Sequence, residues 1–560
     1  LPGGRWHLCF WPVLQRRFVA MMGGTAARKR HRRVSYILRE EQGRHRGGIE
    51  SLALNRRGEL LFSAGRDGTA RCWSTSSSRD RCERVYDAHT DWVNDVILLG
   101  DEATLVTGSS DNTIKMWNVQ SEKCVATYGE HTDYVKALAY ARGRGLLASA
   151  GLDREVIIWD LEASAQPVAT MSSGGRGGSF AAKPITSRKC SGHEDSIYCV
   201  AVNSSASVLV SGSSERVSTH AIGLLRIWDP RTGEKVGRLK GHTDNVRCVL
   251  VSEDGTKCIS GGSDASMKLW DLRTQRCVQS FSIHTDSVWT VDADPSFSQV
   301  FSGGRDKAVF CTDLETLHST MVCQTEEPVL KLLRSPDESL WISTTSSALQ
   351  HWEVESHLAK ERAAHGHGRP SLHTVDHHLR RQSMWTGGAG DEADLQPLPL
   401  VKSPAAVLKG LPALVKCDFL ENRRHVLAKD SAGCCSVWDV TSGKRVKDFG
   451  AVDFDEQRKA LEEEMVVPAW CSVDCRLGSL MINLDFPQAF SAEQYAVESG
   501  FPRIPDLEET KINVGFRVVR SLFRNWRRAR TKMRGSCLPS YLPQYLATHL
   551  PACLPACLPA

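Results

Sequence analysis

Hydrophobic and polar positions recur along this chain as a repeating unit, in which strand-length apolar runs are punctuated by the same few polar residues. His89, His131, His242 and His284 each precede a Thr-Asp pair, and the first two and the last two of them lie 42 residues apart. A second pattern places a Ser or Thr four residues before an Asp, with a Trp six residues after it. It reads Ser63, Asp67, Trp73, then Thr107, Asp111, Trp117, then Ser149, Asp153, Trp159, then Ser260, Asp264, Trp270. A unit of this length predicts a four-stranded antiparallel sheet, with the Asp in the tight turn between its second and third strands.

The spacing has a physical reading. The turn Asp can accept a hydrogen bond from the loop His, the His can reach the Ser or Thr hydroxyl, and the hydroxyl can reach the Trp indole, so a buried polar chain is satisfied. Three sets are assigned to such a network: His89, Thr107, Asp111 and Trp117; His131, Ser149, Asp153 and Trp159; His242, Ser260, Asp264 and Trp270. His, Ser and Asp also make up a hydrolase triad, but residues that recur in unit after unit build the fold. The chain is read as non-enzymatic, with no catalytic residue, cofactor or metal.

The period is that of a propeller blade, and units end in Trp-Asp at Trp159-Asp160, Trp228-Asp229, Trp270-Asp271 and Trp438-Asp439. Third-strand positions fall at Trp73, Trp117, Trp159, Trp228, Trp270, Trp352 and Trp438, with Cys311 in the equivalent place between Trp270 and Trp352. The expected fold is therefore all-β, an eight-bladed WD-repeat β-propeller over residues 34–446 with a small α+β ancillary domain over 447–534. Val34–Leu38 is expected to supply the outer strand of the Trp438 blade and so close the ring. Insertions are expected at residues 172–180, at 217–223 inside a hairpin, and near 355–410 as a disordered loop; 455–464 reads as a charged helix. Residues 1–33 and 535–560 are read as tails outside the fold, the latter built on a Leu-Pro-Ala-Cys-like repeat.

Composition changes little. With 560 residues, 41% hydrophobic and 24% charged, there is ample material for a large core. A net charge of +5 over that length gives no global basic field, so no direct nucleic-acid binding is expected, and no membrane insertion is expected either. The 19 cysteines show no disulfide ladder, and Cys199, Cys248 and Cys258 occupy packing positions on strands. Cys434 with Cys435, and Cys471 with Cys475, lack a second pair at ligand spacing. His365, His367, His377 and His378 read as members of a solvated loop. The basic run at 28–33 reads as a nuclear import signal or a solvated flank.

Beyond the repeat itself, the runs Ala64-Gly65-Arg66-Asp67, His89-Thr90-Asp91-Trp92-Val93-Asn94-Asp95, Ala150-Gly151-Leu152-Asp153-Arg154 and Gly303-Gly304-Arg305-Asp306 resemble the WD-repeat cofactors that bind and activate ubiquitin-specific proteases. So does the run from Asp133 through Tyr134, Val135 and Lys136 to Tyr140, and the similarity spans roughly residues 28–520. The resemblance implies a deubiquitinase activator with ubiquitin-specific proteases as partners, ubiquitinated substrates at one remove, and a location in nucleus and cytoplasm, with endosome or lysosome also implied. The ubiquitin-like domains that end such cofactors have no counterpart after about Arg520. The alternative class is a substrate receptor of a ubiquitin ligase or another assembly hub.

Two positions per unit are expected on one rim. The residue after the first-strand apolar position reads Asn94, Lys136, Tyr198, Arg247 and Trp289; the residue before the turn acid reads Arg66, Ser110, Leu152, Ser214, Ser263 and Arg305. Arg247, Trp289 and Arg305 are the expected protein-binding cluster, an indole between two guanidinium groups, because Trp and Arg are enriched in interface hot spots.

Overall fold

The computed structural model describes residues 34–38, 43–75, 82–161, 186–218, 221–365, 374–376, 397–440, 442–462, 471–484, 493–495 and 511–513. Eight antiparallel sheets dominate it, made of strands that follow one another in sequence and pair with their neighbours except at the outer strands of the sixth and seventh. The first sheet runs Ile49–Leu54, Leu60–Gly65, Thr69–Ser74, Cys82–Asp87, and the second begins at Val93–Leu98. The third to eighth begin at Val135–Ala141, Ile197–Val202, Val246–Val251, Val288–Ala293, Val329–Arg334 and Leu414–Phe419.

The turn between second and third strands forms for a local reason. Asp67 Oδ1 accepts from Thr69 N–H at 3.0 Å, Asp111 Oδ1 from Thr113 N–H at 3.0 Å, and Asp264 Oδ1 from Ser266 N–H at 3.1 Å. Each carboxylate thereby replaces a backbone acceptor and closes the turn. The residue after the acid adopts the left-handed conformation in five sheets: Gly68, Asn112, Arg154, Ala265 and Lys307, with φ between 59° and 73°. Gly and Asn tolerate that region; the other three carry its steric cost.

Packing between sheets decides their arrangement. The first strands of the first seven sheets lie side by side in chain order, and that of the seventh lies against that of the first. Ile49, Leu52, Leu61 and Trp73 of the first sheet share one core with Trp341 and Leu349 of the seventh. The Trp438 sheet therefore does not stand between them, as an eight-bladed ring would require. Its apolar face is covered elsewhere: Leu414, Phe419, Val426 and Trp438 pack with Leu38, Cys471, Leu480 and Ile482.

Val34–Leu38 likewise differs from expectation. It pairs antiparallel with Leu480–Leu484, which pairs with Cys471–Asp474, so it joins a separate three-stranded sheet. The Trp438 sheet needs no borrowed strand, because Lys444–Ala451 already forms its outer edge. A helix follows at Phe454–Ala460, overlapping the first part of the 455–464 run, capped by Asp453, whose side chain accepts from the N–H groups of Asp455 and Glu456.

The insertions are only partly loop. At 217–223 the chain extends a hairpin between Leu209–Ser218 and Ala221–Trp228, and Gly223, at φ 90°, leaves no room for a Cβ against the Asp244 carbonyl. Within 355–410, a helix covers Glu355–His365, Thr374–Asp376 adds a fifth strand to the sixth sheet, and Ala406–Leu408 is the outer strand of the seventh. The seventh sheet would lack an edge without it, so this end of the segment is ordered by pairing. Residues 1–33, 172–180 and 535–560, with His367, His377 and His378, lie outside the described residues.

Candidate functional site

Two sets of side chains repeat from sheet to sheet, one buried and one on the rim. In the buried set, Asp153 Oδ2 accepts from His131 Nδ1 at 2.8 Å, Ser149 Oγ meets His131 Nε2 at 2.8 Å, and Trp159 Nε1–H donates to Ser149 Oγ at 2.9 Å. A carboxylate can only accept, so the proton sits on Nδ1 and the neutral Nε2 accepts from the hydroxyl. His89, Thr107, Asp111 and Trp117 repeat the chain at 2.8, 2.7 and 2.9 Å, and His242, Asp264, Ser260 and Trp270 at 2.9, 2.8 and 2.8 Å.

The charges fit this reading. Burial pushes Asp111 up, but hydrogen bonds from His89, Thr113 and Thr90, with attraction to the His89 ring once it is protonated, hold its carboxyl down to about 2. Burial lowers His89, against the pull of Asp111, and so favours the neutral imidazole. The Trp indoles donate to the hydroxyl and do not reach the Asp.

The His of the first set and the whole His, hydroxyl and acid set of the fourth escaped the sequence patterns. In the first sheet, His45 stands 3.0 Å from Asp67 Oδ2 and 2.7 Å from Ser63 Oγ; in the fourth, His193 stands 3.2 Å from Glu215 Oε2 and 2.7 Å from Ser211 Oγ. Neither His precedes Thr-Asp, and in the fourth the acid is Glu, held also by Arg226 Nη2 at 2.6 Å. The signal that finds them is spacing: the hydroxyl lies 18 residues after the His and the acid 22 in every set.

The sixth sheet has the His284, Ser302 and Asp306 contacts at 2.9 and 2.8 Å but no Trp on its third strand. Counting in register, Val300 faces Thr312 as Leu61 faces Trp73, so the residue in the Trp position is Thr312. Cys311 was therefore displaced by one in the sequence count. The Thr312 hydroxyl is paired with Ser319 Oγ at 2.8 Å.

The rim set rests on one backbone device. The first strand of each of the first seven sheets carries a register shift at the same place, between Ile49 and Ser51, Val93 and Asp95, Val135 and Ala137, Ile197 and Cys199, Val246 and Cys248, Val288 and Thr290, Val329 and Lys331. The extra residue, freed from the pairing register, is Glu50, Asn94, Lys136, Tyr198, Arg247, Trp289 or Leu330. A bulge re-aims a side chain, and these positions differ in chemistry while the residue before each is always Ile or Val. The residue before the turn acid is fixed beside it, since Ser263 N–H donates to Asn245 O at 2.8 Å and Arg305 N–H to Ser287 O at 2.9 Å.

The expected cluster is only partly assembled. Arg247, Trp289 and Arg305 lie on adjacent sheets, with Trp289 half-buried. Arg247 does not turn to the indole: its guanidinium lies 4.7 Å from the centroid of the Tyr198 ring, and its Nε–H donates to Ser263 Oγ at 3.0 Å. Arg305 is 62% exposed and its Nε stands 3.5 Å from Asp286 Oδ2.

At the second and third sheets the rim is contacted by the chain itself. Arg476, in the turn between Cys471–Asp474 and Leu480–Leu484, has Nη2 2.6 Å from Asp91 Oδ2 and donates to Tyr134 Oη at 3.2 Å, while Trp92 Nε1–H donates to Arg476 O at 3.1 Å. A cleft of 520 Å³ lies beside this contact, lined by Arg46, Arg66, Trp92, Thr345, Leu414 and Arg476. Among the described residues no group of three or more His, Cys, Asp or Glu is placed to hold a metal ion, and no helix is long and apolar enough to cross a membrane.

Six stretches of the chain match the repeat described as WD domain, G-beta repeat: residues 38–74, 80–118, 122–160, 184–217, 233–271 and 275–313. Each contains one His, hydroxyl and acid set; those from residue 80 onward begin with the outer strand of the preceding sheet, and each of the five not interrupted by the hairpin insertion ends one residue past the Trp position. The buried network and the sequence match thus mark the same units, and the chain carries six WD40 repeats.

Proposed function

We propose that this chain is a non-catalytic scaffold that docks and allosterically stimulates ubiquitin-specific proteases, with Tyr198, Arg247, Trp289 and Arg305 on the fourth to sixth sheets as its partner surface. WD repeats as a class serve protein interaction, and the bulge supplies a variable side chain at a fixed place on each sheet. The observation that carries the location is the Arg476 turn. It contacts Asp91, Trp92 and Tyr134 at the second and third sheets, and none of its contacts among the described residues reaches the fourth to sixth.

In this reading the first seven sheets make a seven-bladed ring, and the eighth sheet with the 34–38 and 471–484 strands makes the ancillary unit. Stimulation requires that the scaffold bind the active conformation of the protease more tightly than the inactive one. The protease reading itself rests on the resemblance of the runs around Arg66, Trp92, Lys136, Asp153 and Arg305.

The test is turnover. The purified chain should hydrolyse no ubiquitin conjugate alone and should raise the turnover of a ubiquitin-specific protease mixed with it. Binding without any change in turnover would remove the activator role and keep the scaffold; capture of ligase adaptors in place of proteases would favour the substrate-receptor reading. We also propose a nuclear and cytoplasmic location, from the basic run at 28–33, which a reporter fused to residues 22–40 would test by remaining wholly cytoplasmic if the reading fails.

A further inference from the structure

In the first seven sheets, the residue just before the leading Ile or Val of the first strand is aromatic only in the second and third, Trp92 and Tyr134; elsewhere it is Gly, Pro, Ser or Asn. Both aromatic side chains are half-buried, and each has a guanidinium beside it. Arg66 lies 4.8 Å from the centroid of the Trp92 ring, and Arg476 lies 5.9 Å from that of Tyr134. Asp91 completes the patch. Its Oδ1 accepts from Trp92 N–H at 2.8 Å, which orients the carboxylate and leaves Oδ2 to Arg476 Nη2 at 2.6 Å.

Arg476 is seated on this patch as a ligand would be. It is the second residue of a tight turn in which Gly478 N–H donates to Cys475 O at 2.8 Å, with Gly478 at φ 65°. Its contacts with the rim are the Asp91 ion pair, the Tyr134 hydroxyl and the Trp92 indole, which donates to the Arg476 carbonyl. The strands behind the turn are held from the other side: Cys471, Leu480 and Ile482 pack in the core with Trp438, and Leu414 N–H donates to Gly478 O at 2.9 Å. The tip can therefore leave the rim while its sheet stays packed. Its hold is that of a surface contact, since the Arg476 side chain is 46% exposed, and exposed ion pairs are weak. The 520 Å³ cleft bounded by Trp92 and Arg476 gives an incoming chain a way to the same place.

We propose that Asp91, Trp92 and Tyr134 form a second docking surface, for an arginine-bearing turn of a partner protein, and that the Arg476 turn is its resident occupant. The occupant in place defines the chemistry of the ligand. A planar guanidinium can donate to a carboxylate and a hydroxyl while lying beside a ring, and a lysine ammonium has no such plane. The surface lies on other sheets than Tyr198, Arg247, Trp289 and Arg305, so failure of either surface leaves the other standing.

The experiment uses an N-terminally labelled peptide with the sequence of residues 472–479, Ser-Val-Asp-Cys-Arg-Leu-Gly-Ser, carrying Ser in place of its Cys, and reads its fluorescence anisotropy against the full chain. Arg476→Ala, which empties the patch, should bind it saturably. Wild type should bind about tenfold more weakly, because the resident turn competes at a high local concentration. Asp91→Asn added to Arg476→Ala should cost about tenfold in affinity, the loss expected on removing a hydrogen bond to a charged group. Glu234→Gln, which removes a negative charge from an exposed turn elsewhere, should cost nothing. The surface is overturned if Arg476→Ala, melting as wild type does, binds no better than wild type, or if a peptide with Gln in place of its Arg binds equally well. Should Arg476→Ala unfold, hydrogen exchange in wild type decides: saturating peptide should speed exchange of the 475–478 amides, and unchanged exchange there overturns the proposal.

Discussion

The guanidinium of Arg247 lies over the Tyr198 ring, 4.7 Å from its centroid, so bulge residues of neighbouring sheets support one another across the rim. An exposed pair of this kind contributes about 0.5–1 kcal/mol. Tyr198→Ala should therefore weaken partner binding by roughly two- to fivefold through loss of Arg247 positioning. Titration of the variant against the protease checks this, and an affinity equal to wild type would separate Tyr198 from the site.

Asp153→Ala removes the acceptor of His131 Nδ1–H and of Thr132 N–H, at 2.8 and 3.0 Å, and leaves a buried ring nitrogen without its partner. The expected loss is about 1–3 kcal/mol of stability, read as a lower denaturation midpoint. The Trp159 bond to Ser149 survives the substitution, so the loss should stay below that of emptying the whole network. An unchanged midpoint would mean that this buried bond contributes nothing.

The fourth sheet should set a pH dependence. Burial, helped by Arg226 and opposed by Glu215, lowers His193 to about 4 from its ordinary value of 6.5. The unfolded chain then binds a proton that the folded chain refuses, so stability is full above pH 6.5 and falls as pH drops from there toward 4. Denaturant midpoints should fall less steeply over that window in His193→Gln than in wild type, whatever the variant's stability at pH 7. Parallel curves would contradict it.

Ala265 sits at φ 59° in the turn where the first sheet uses Gly68. Ala265→Gly should stabilise by about 0.5–1 kcal/mol, the relief of left-handed strain less the entropy that Gly gives up. The denaturation midpoint should rise, and a fall would show the strain to be absent.

The repeat, its turn acids and most of its buried network were legible in the sequence because each depends on local spacing. His45 and His193 do not precede a Thr-Asp pair and are found only by the constant separation from the Ser, and Thr312 only by register, because the third strand of the sixth sheet has no Trp to count from. The order of the sheets was not legible. Whether Trp438 closes the ring or stands apart depends on which apolar faces meet, and Leu414 and Trp438 look the same in sequence whether Leu480 or Ile49 covers them. The rim residues were legible as positions, because the bulge repeats with the strand. Their orientations were not, since Arg247 chooses Tyr198 over Trp289 only in three dimensions.

The central claim is that the rim of the fourth to sixth sheets is where a partner docks. Its most direct measurement is a binding titration of a ubiquitin-specific protease against wild type, Arg247→Glu, Trp289→Ala and Arg305→Asp, with melting curves beside it. At least one variant should lose roughly 2 kcal/mol or more of binding with its fold intact. The losses in the two charge reversals should shrink as salt rises, and that in Trp289→Ala should respond less. Wild-type affinity in all three would contradict the account.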